Sequence, residues 1–569
     1  MAPRRGRVIV VDFGKGPPGE GPSDSTAVDH SKHARQVARG TAIALIGGVA
    51  SFVLASVYQV IVARSLGAAG FGLFILALAI SNFLAEGSDL GLDYGVLRFG
   101  GIARGLGDPG RFRSVLQRSL AGSFLTGASA AVVLAVGSSI VARLFDKPGL
   151  EPMLVPLALS VPFTATSEVA RASLRAMGKA LPSVVSDSFL THGIRLATAV
   201  WVLTSASSPS SVAAAYLVAE AAVLLLTLGM VWRLCPRDGE TGPVRGLFRF
   251  SVPMSFNRII LFSNNQTEVF VLSLLASTTT LGIFGVGRRL SMLIGSLLAS
   301  VGILFNPMVA DLHNRGRNAE LDQLFKTSTR WLFTLGFPVC LVEVLFASSI
   351  LHIFGREFES GAVALSILAI GQLVNVGTGV VSNLLAMVGR SKLTLINSVA
   401  FLVLSIALDF LLIPRWGLAG AAIANSGAVV VINLVRVWQT QRILGVAPYD
   451  GRFMRPVVAG LVAAVGARFL PLPELPIMVD LVIRVATLGI AYLCVLAALG
   501  IEEVDREVAR SAIARFRGRP PPESGGDTTA TALEKDAGAA RAEEWRTPKE
   551  LAEPGAEHPS DVPSAFGRR

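Results

Sequence analysis

The sequence predicts an all-α polytopic membrane protein of about fourteen transmembrane helices. Three observations predict it: an apolar composition, segments of spanning length that recur along most of the chain, and basic residues gathered in alternate connections. The 569 residues are 52% hydrophobic and only 16% charged, with a mean hydropathy of +0.58, whereas a soluble globular chain carries about 25% charged residues. Most of the surface must therefore be solvated by lipid. The 57 glycines suit close approach between membrane helices. They follow no Gly-X-Y period, which excludes collagen, and the apolar content excludes a disordered chain.

A net charge of +11 and a pI near 10.0 would suit a nucleic-acid binder if the basic residues formed one patch. They fall instead at the ends of apolar segments, so no nucleic acid is expected. Cys235, Cys340 and Cys494 are far apart and form no CxxC or Cys/His cluster, and they read as packing residues. Residues 1–40 contain the breaker run Gly16-Pro17-Pro18-Gly19 and no apolar core. They read as a largely disordered cytoplasmic tail without a cleavable signal peptide.

A spanning helix needs about 20 mostly apolar residues. Such segments lie near 41–64, 71–98, 115–142, 151–174, 182–204, 211–234 and 248–275, then near 279–308, 329–354, 361–388, 393–413, 416–438, 454–470 and 476–499. An even count puts both termini on one side, and positive charge says which. Connections after the even-numbered spans hold Arg104, Arg111 and Arg113; Arg175 and Lys179; Arg237 and Arg245; Arg315, Arg317 and Lys326; Arg390 and Lys392; Arg442 and Arg452. These connections face the cytoplasm, which places a multi-pass protein in the bacterial cytoplasmic membrane with both termini inside. The other connections are short and poor in charge, with Arg143, Lys147, Arg356 and Arg415 as exceptions. Residues 502–569 are rich in Arg, Glu, Gly and Pro, which predicts a disordered cytoplasmic tail.

Two segments recur at one offset. Gly70-Phe71-Gly72-Leu73-Phe74 opens the second span and Thr280-Leu281-Gly282-Ile283-Phe284 opens the eighth, with Gly72 and Gly282 separated by 210 positions. Ala176-Met177-Gly178-Lys179 follows the fourth span and Ala386-Met387-Val388-Gly389-Arg390 the tenth, with Gly178 and Gly389 separated by 211. A repeat of this size predicts two lobes with a substrate path between them. Corresponding spans are six apart, so the repeats run parallel. The expected organisation is an N-terminal lobe over 41–235, a cytoplasmic linker over 236–247, a C-terminal lobe over 248–442 and an extra helix pair over 453–500.

Two phrases carry a family resemblance, Ala63-Arg64-Ser65-Leu66-Gly67-Ala68-Ala69-Gly70-Phe71-Gly72-Leu73-Phe74 and Leu411-Leu412-Ile413-Pro414-Arg415-Trp416-Gly417-Leu418-Ala419-Gly420-Ala421-Ala422-Ile423-Ala424. Over roughly residues 38–500 the chain resembles the multidrug/oligosaccharidyl-lipid/polysaccharide exporter superfamily, and within it the O-antigen type polysaccharide-biosynthesis flippases. The resemblance implies two six-helix lobes forming a V, alternating access and a final helix pair. It also implies a lipid-linked oligosaccharide as substrate, carried from the cytoplasmic to the outer leaflet. Membrane lipids, a coupling proton or sodium ion, and a polysaccharide polymerase or other biosynthesis proteins are the candidate partners.

Ionisable groups at mid-membrane are costly unless they face protein or water, so each is a functional candidate. At about 1.5 Å rise per residue, Arg195, Arg258 and Arg288 approach the midplane. Guanidinium groups from both lobes would replace the hydration of a pyrophosphate with charge-assisted hydrogen bonds. Arg289 neighbours Arg288, and the two cannot both face one cavity squarely. Arg171 and Arg175 stand at the cytoplasmic end of the fourth span, placed to meet an incoming phosphate. The alternative for every one of these arginines is a carboxylate partner or snorkelling to the interface.

Glu86, Asp89 and Asp93, spaced three and four apart, share one helix face. They are candidates to bind a coupling ion or to neutralise arginines across the cavity. Glu268, after Asn264, Asn265 and Gln266, is a further ion-coupling candidate, and a proton role is open to His192. Asp480 and Arg484 read as a structural i,i+4 pair.

Three functions compete at this stage: the lipid-linked oligosaccharide flippase, a multidrug or cation antiporter of the same superfamily, and a membrane glycosyltransferase or ligase. An antiporter favours an acidic or aromatic pocket. An enzyme needs a large outer loop with metal-binding carboxylates, and no connection exceeds about 20 residues, in keeping with chains built mainly from spanning helices. No Gly-rich loop followed by Lys-Ser or Lys-Thr occurs, so neither ATP hydrolysis nor another cofactor or metal is expected. The flippase is the favoured reading.

Overall fold

Apolar segments in lipid must satisfy their own backbone polar groups, and this chain does so with helices. The structure, a computed structural model, describes residues 24–500 apart from 206–207, 236–237, 240–241, 243, 450 and 470–474. The predicted tail at 502–569 and part of the predicted linker at 236–247 lie outside the described residues. The long helices are α1 (Asp24–Ser88), α2 (Pro109–Val136), α3 (Glu151–Ala176), α4 (Thr191–Ser205), α5 (Pro209–Leu234), α6 (Leu247–Leu275), α7 (Thr278–Asn314), α8 (Asn318–Leu345), α9 (Ala362–Gly377), α10 (Ser391–Leu444), α11 (Met454–Arg468) and α12 (Ile477–Ala498).

Among the described residues, nine helical stretches are long and apolar enough to cross a membrane. Two of them, with 59 and 54 residues, far exceed the roughly 20 that a bilayer requires. Each is broken by a glycine in backbone geometry that side-chain-bearing residues avoid, Gly67 in α1 (φ 65°) and Gly417 in α10 (φ 51°). The predicted spans 41–64 and 71–98 are thus two helices that meet at a kink at Gly67, and 393–413 and 416–438 two that meet at a kink at Gly417. α1 begins at Asp24, well before the predicted start at residue 41. The second arm of α1 also stops short of residue 98: Leu90 (φ 52°) and Gly91 (φ 65°) turn the chain, and helix resumes at Leu92–Gly95.

Helix starts follow from local chemistry. Asp108 accepts from Arg111 N (2.8 Å) ahead of Pro109 at the head of α2, Ser208 and Ser211 form a capping box on α5, and Ser277 accepts from Thr280 N (3.2 Å) on α7. Large apolar side chains such as Val133 (71% exposed) and Leu225 (70%) cover the outer surface, as a lipid-facing surface requires. In the first half of the chain α3 packs between α2 and α5, and in the second half α9 packs among α7, α8 and α10. α11 and α12 lie on α8, where Gly460 accepts the Phe337 ring against its backbone and Tyr492 Oη donates to Thr334 O (2.8 Å). Arg484 Nε reaches both Asp480 oxygens at 2.9 Å within α12, and its Nη1 donates to Ala467 O of α11 (3.2 Å).

The halves meet where α1 runs along α6 and α7. A Cβ on Gly72 would overlap Thr278 O and lie 2.9 Å from Gly282 N; a Cβ on Gly282 would overlap Ala68 O and lie 3.0 Å from Gly72 N. Gly72 and Gly282, like Ala68 and Thr278, are 210 positions apart. Each half therefore presents the same backbone patch to the other, a self-complementary contact of the kind a two-fold axis produces. Nearby Lys147 Nζ donates to Ala276 O (3.3 Å), and Glu357, 210 positions later, accepts from Ala68 N (2.9 Å). Arg64 Nε adds a bond to Ile353 O (2.6 Å). All of these lie at the face opposite the Arg- and Lys-rich loops.

Candidate functional site

Arg195 rises from α4 five residues after Val185–Leu190, a stretch of widened helical turns of the kind that often re-aims side chains at functional sites. Its Nε lies 2.6 Å from Glu220 Oε1 on α5, its Nη2 donates to Tyr216 Oη (3.0 Å), and its guanidinium stands 4.7 Å from the Tyr216 ring centroid. Glu220 is only 2% exposed, so the pair is drawn out of solvent. His192, one turn earlier, lies within electrostatic reach of Arg195, Arg171 and Arg289. Arg171 on α3 is buried, bonded to Glu168 (2.6 Å) and Thr191 (3.4 Å), with Asp187 at 3.6 Å. Arg175, one turn on, is exposed.

Arg258 on α6 crosses to the first half. It pairs with Glu86, with Asp89 (3.1 Å) and with Asp93 (2.6 Å). The three carboxylates thus share one face despite the break at residues 90–91, and what they hold is an arginine from the opposite half. The crossing is close because Gly91 and Gly95 lie against Ser251 on α6, where a Cβ would collide.

Arg288 and Arg289 on α7 point in different directions. Arg288 Nε stands 3.2 Å from Glu268 Oε2, close enough for charge pairing without hydrogen-bond alignment. The Arg289 guanidinium stands 5.4 Å from the Phe52 ring centroid of α1, and its buried Nε has no hydrogen-bond partner among the described residues. Its side chain therefore turns towards the first half, where His192 and Arg195 lie.

The Glu268 side opens on a cavity of about 610 Å³ between α6, α7, α9 and α10, lined by Arg288, Gln372, Asn375, Asn425, Asn433 and Arg436 among others. Glu268 Oε1 accepts from Asn425 Nδ2. Within electrostatic reach of Glu268 is Asp409, fully buried, with neither carboxylate oxygen hydrogen-bonded among the described residues. Arg288 pairs with Glu268, and Asp409 adds a second buried carboxylate whose charge the low-dielectric interior penalises unless a proton or cation joins it. The side chains of Asn264 and Asn265, flagged with Glu268 by their polarity, lie outside the described residues.

Sequence reasoning misses Glu220, Asp409 and Arg436. Each is an isolated ionisable residue in an otherwise apolar segment, and that isolation is the signal that would have found it.

Residues 61–364 match the polysaccharide biosynthesis protein family. A Shigella flexneri protein described as "Putative O-antigen transporter" is 24% identical over 395 residues, which cover 68% of this chain and 93% of that protein. Among solved structures, the lipid II flippase MurJ in an inward closed conformation aligns with a TM-score of 0.65 at 13% identity, covering 80% of this chain and 98% of that one. An inward-facing multidrug resistance MATE family transporter of the MOP superfamily aligns with a TM-score of 0.60 at 15% identity, covering 69% and 94%. At these identities the structural likeness carries the fold alone, and the fold is shared by flippases and drug transporters. By the match over more than half of its length, the chain belongs to the polysaccharide biosynthesis protein family, as a multi-pass membrane member with the fold of the MOP superfamily.

Proposed function

We propose that the protein flips a polyprenyl-pyrophosphate-linked oligosaccharide from the cytoplasmic to the outer leaflet by alternating access, without covalent chemistry on its cargo. The observation that carries this reading is that basic side chains from both halves, Arg171 and Arg195 from the first and Arg289 from the second, lie within electrostatic reach of one residue, His192. Arg289, with its unpartnered Nε, is the group best placed to take a pyrophosphate oxygen, since a desolvated phosphate needs donors that water no longer supplies. Arg195 joins it when the cargo competes with Glu220. The Shigella flexneri relative described as a putative O-antigen transporter supports the same cargo class.

Alternating access needs contacts that form and break between the halves. Two sets suit that role: the Gly72–Gly282 patch with Lys147 and Glu357 at one face, and Arg258 with its three carboxylates towards the other. In that cycle Glu86, Asp89 and Asp93 act as a latch on Arg258, which leaves ion coupling to Glu268 and Asp409. The test of transport is reconstitution in proteoliposomes with a fluorescent polyprenyl-pyrophosphate oligosaccharide in one leaflet. Time-dependent protection from a membrane-impermeant quencher supports flipping. Protection no faster than in protein-free vesicles defeats the reading.

The Glu268–Asp409 pair also fits a cation antiporter, because buried carboxylates attract cationic drugs. Efflux of ethidium from the same vesicles, with no movement of the lipid, would favour that alternative. For coupling, an imposed proton or sodium gradient is expected to accelerate flipping by the wild type, and Asp409→Asn is expected to abolish the acceleration. Acceleration that survives in Asp409→Asn removes the acid pair from coupling.

A further inference from the structure

The 610 Å³ cavity has a wall whose chemistry differs from that of the central arginines. Asn425, Asn433 and Arg436 recur at i, i+8 and i+11 on α10, and Gln372 and Asn375 at i and i+3 on α9, so each set faces one way. The side chains form a directed chain. Arg436 Nη1 donates to Asn433 Oδ1 (3.4 Å), Asn433 Nδ2 to Asn375 Oδ1 (2.9 Å), and Asn375 Nδ2 to Gln372 Oε1 (3.2 Å). Gly295 leaves room for its end, since a Cβ there would come within 2.8 Å of Gln372 Oε1. A second cavity of about 130 Å³ shares Asn375, Asn433 and Arg436, so the chain borders two neighbouring cavities.

A row of amides serves a particular ligand chemistry. Each carries two N–H donors and a carbonyl with two lone pairs, so even an inner amide that accepts one bond and donates one along the chain keeps an N–H and a lone pair for a ligand. Hydroxyls, which donate and accept at one atom, match that mixture. A phosphate, which only accepts, does not. Phe401 on the same wall offers a ring for the C–H face of a pyranose, and the volume lies within the range of small-ligand sites, about 300–1,000 Å³. Arg436 adds charge: it is half-buried, its one bond goes to an amide, and no carboxylate neutralises it among the described residues. A buried guanidinium without a counter-ion favours a carboxylate held at two points.

We infer that the larger cavity is a glycan subsite, in which the amide chain binds sugar hydroxyls and Arg436 binds the carboxylate of an acidic sugar in the cargo. The inference rests on the flippase reading for the origin of its ligand, yet it is tested without flipping. The full-length protein in detergent is titrated with cellobiuronic acid and with cellobiose, and binding is followed by calorimetry and by the melting temperature. The uronate is expected to bind at least tenfold more tightly than cellobiose, and Arg436→Gln is expected to erase that preference. Asn433→Leu, which cuts the chain, is expected to weaken both sugars and serves if Arg436→Gln does not fold. Equal affinity for the two sugars, an undiminished preference in Arg436→Gln, or no binding of either sugar overturns the subsite. Flipping of a neutral lipid-linked oligosaccharide in the vesicle assay reports on the parent reading, so that reading can stand while the subsite falls.

Discussion

Arg195→Ala abolishes export of the lipid-linked oligosaccharide while leaving the protein in the membrane. The structure adds a second consequence, because the substitution strands Glu220 with its charge buried. Removing one partner of a buried pair costs about 3–5 kcal/mol, whereas removing both is often close to neutral. The single variant should therefore melt well below wild type in detergent, and Arg195→Ala combined with Glu220→Ala should recover most of that loss. Transport separates the two roles of the arginine. If Arg195 handles the cargo, the double variant melts normally and still transports at least tenfold more slowly than wild type in the vesicle assay. Restored transport in the double variant would reduce Arg195 to a counter-ion for Glu220, and normal export by the single variant would remove it from the mechanism altogether.

The second large effect is expected at the reciprocal glycine contact. Gly72→Val places side-chain atoms on Thr278 O and Gly282 N, and Gly282→Val places them on Ala68 O and Gly72 N. Backbone atoms cannot rotate away as a flexible side chain would, so the halves must separate at that face. Either substitution should reduce transport at least tenfold, and the two should behave alike because their surroundings are equivalent. Gly48→Ala, whose Cβ would meet no atom within 4 Å, should transport normally. In a cysteine-free background Ala68→Cys, at a position with no exposure, should resist a membrane-impermeant maleimide and become reactive once Gly282→Val is added. Wild-type transport by the Gly282→Val variant, with the introduced thiol still unreactive, would show that the contact does not need to stay closed.

Much of the fold is legible because lipid imposes simple rules on sequence. Segment length, apolarity and alternating basic loops follow from a hydrocarbon core that admits only helices and from the retention of positive charge on one side. The repeat is legible for a related reason: Gly72 and Gly282 recur at one offset because each must let the other's backbone approach. Glycine breaks are legible only in part. Gly67 falls between predicted spans and Gly417 at the very start of one, as expected of breakers, but the turn at Leu90 and Gly91 lies deep inside another, and the apolar pattern continues across it.

The candidate site divides the same way. Composition and spacing alone single out Arg195, Arg258, Arg288 and Arg289 as intramembrane cations and place Glu86, Asp89 and Asp93 on one face, since cost in lipid and helical periodicity are local properties. Only packing decides which charges meet. Arg258 finds its carboxylates about 165 to 172 residues away in sequence, Arg195 finds Glu220 on the next helix, and adjacent Arg288 and Arg289 turn to different neighbours, Glu268 and Phe52. Pairing depends on which helix faces lie within a few ångströms of one another, and that distance is set by helix crossings and glycine contacts that no single segment encodes.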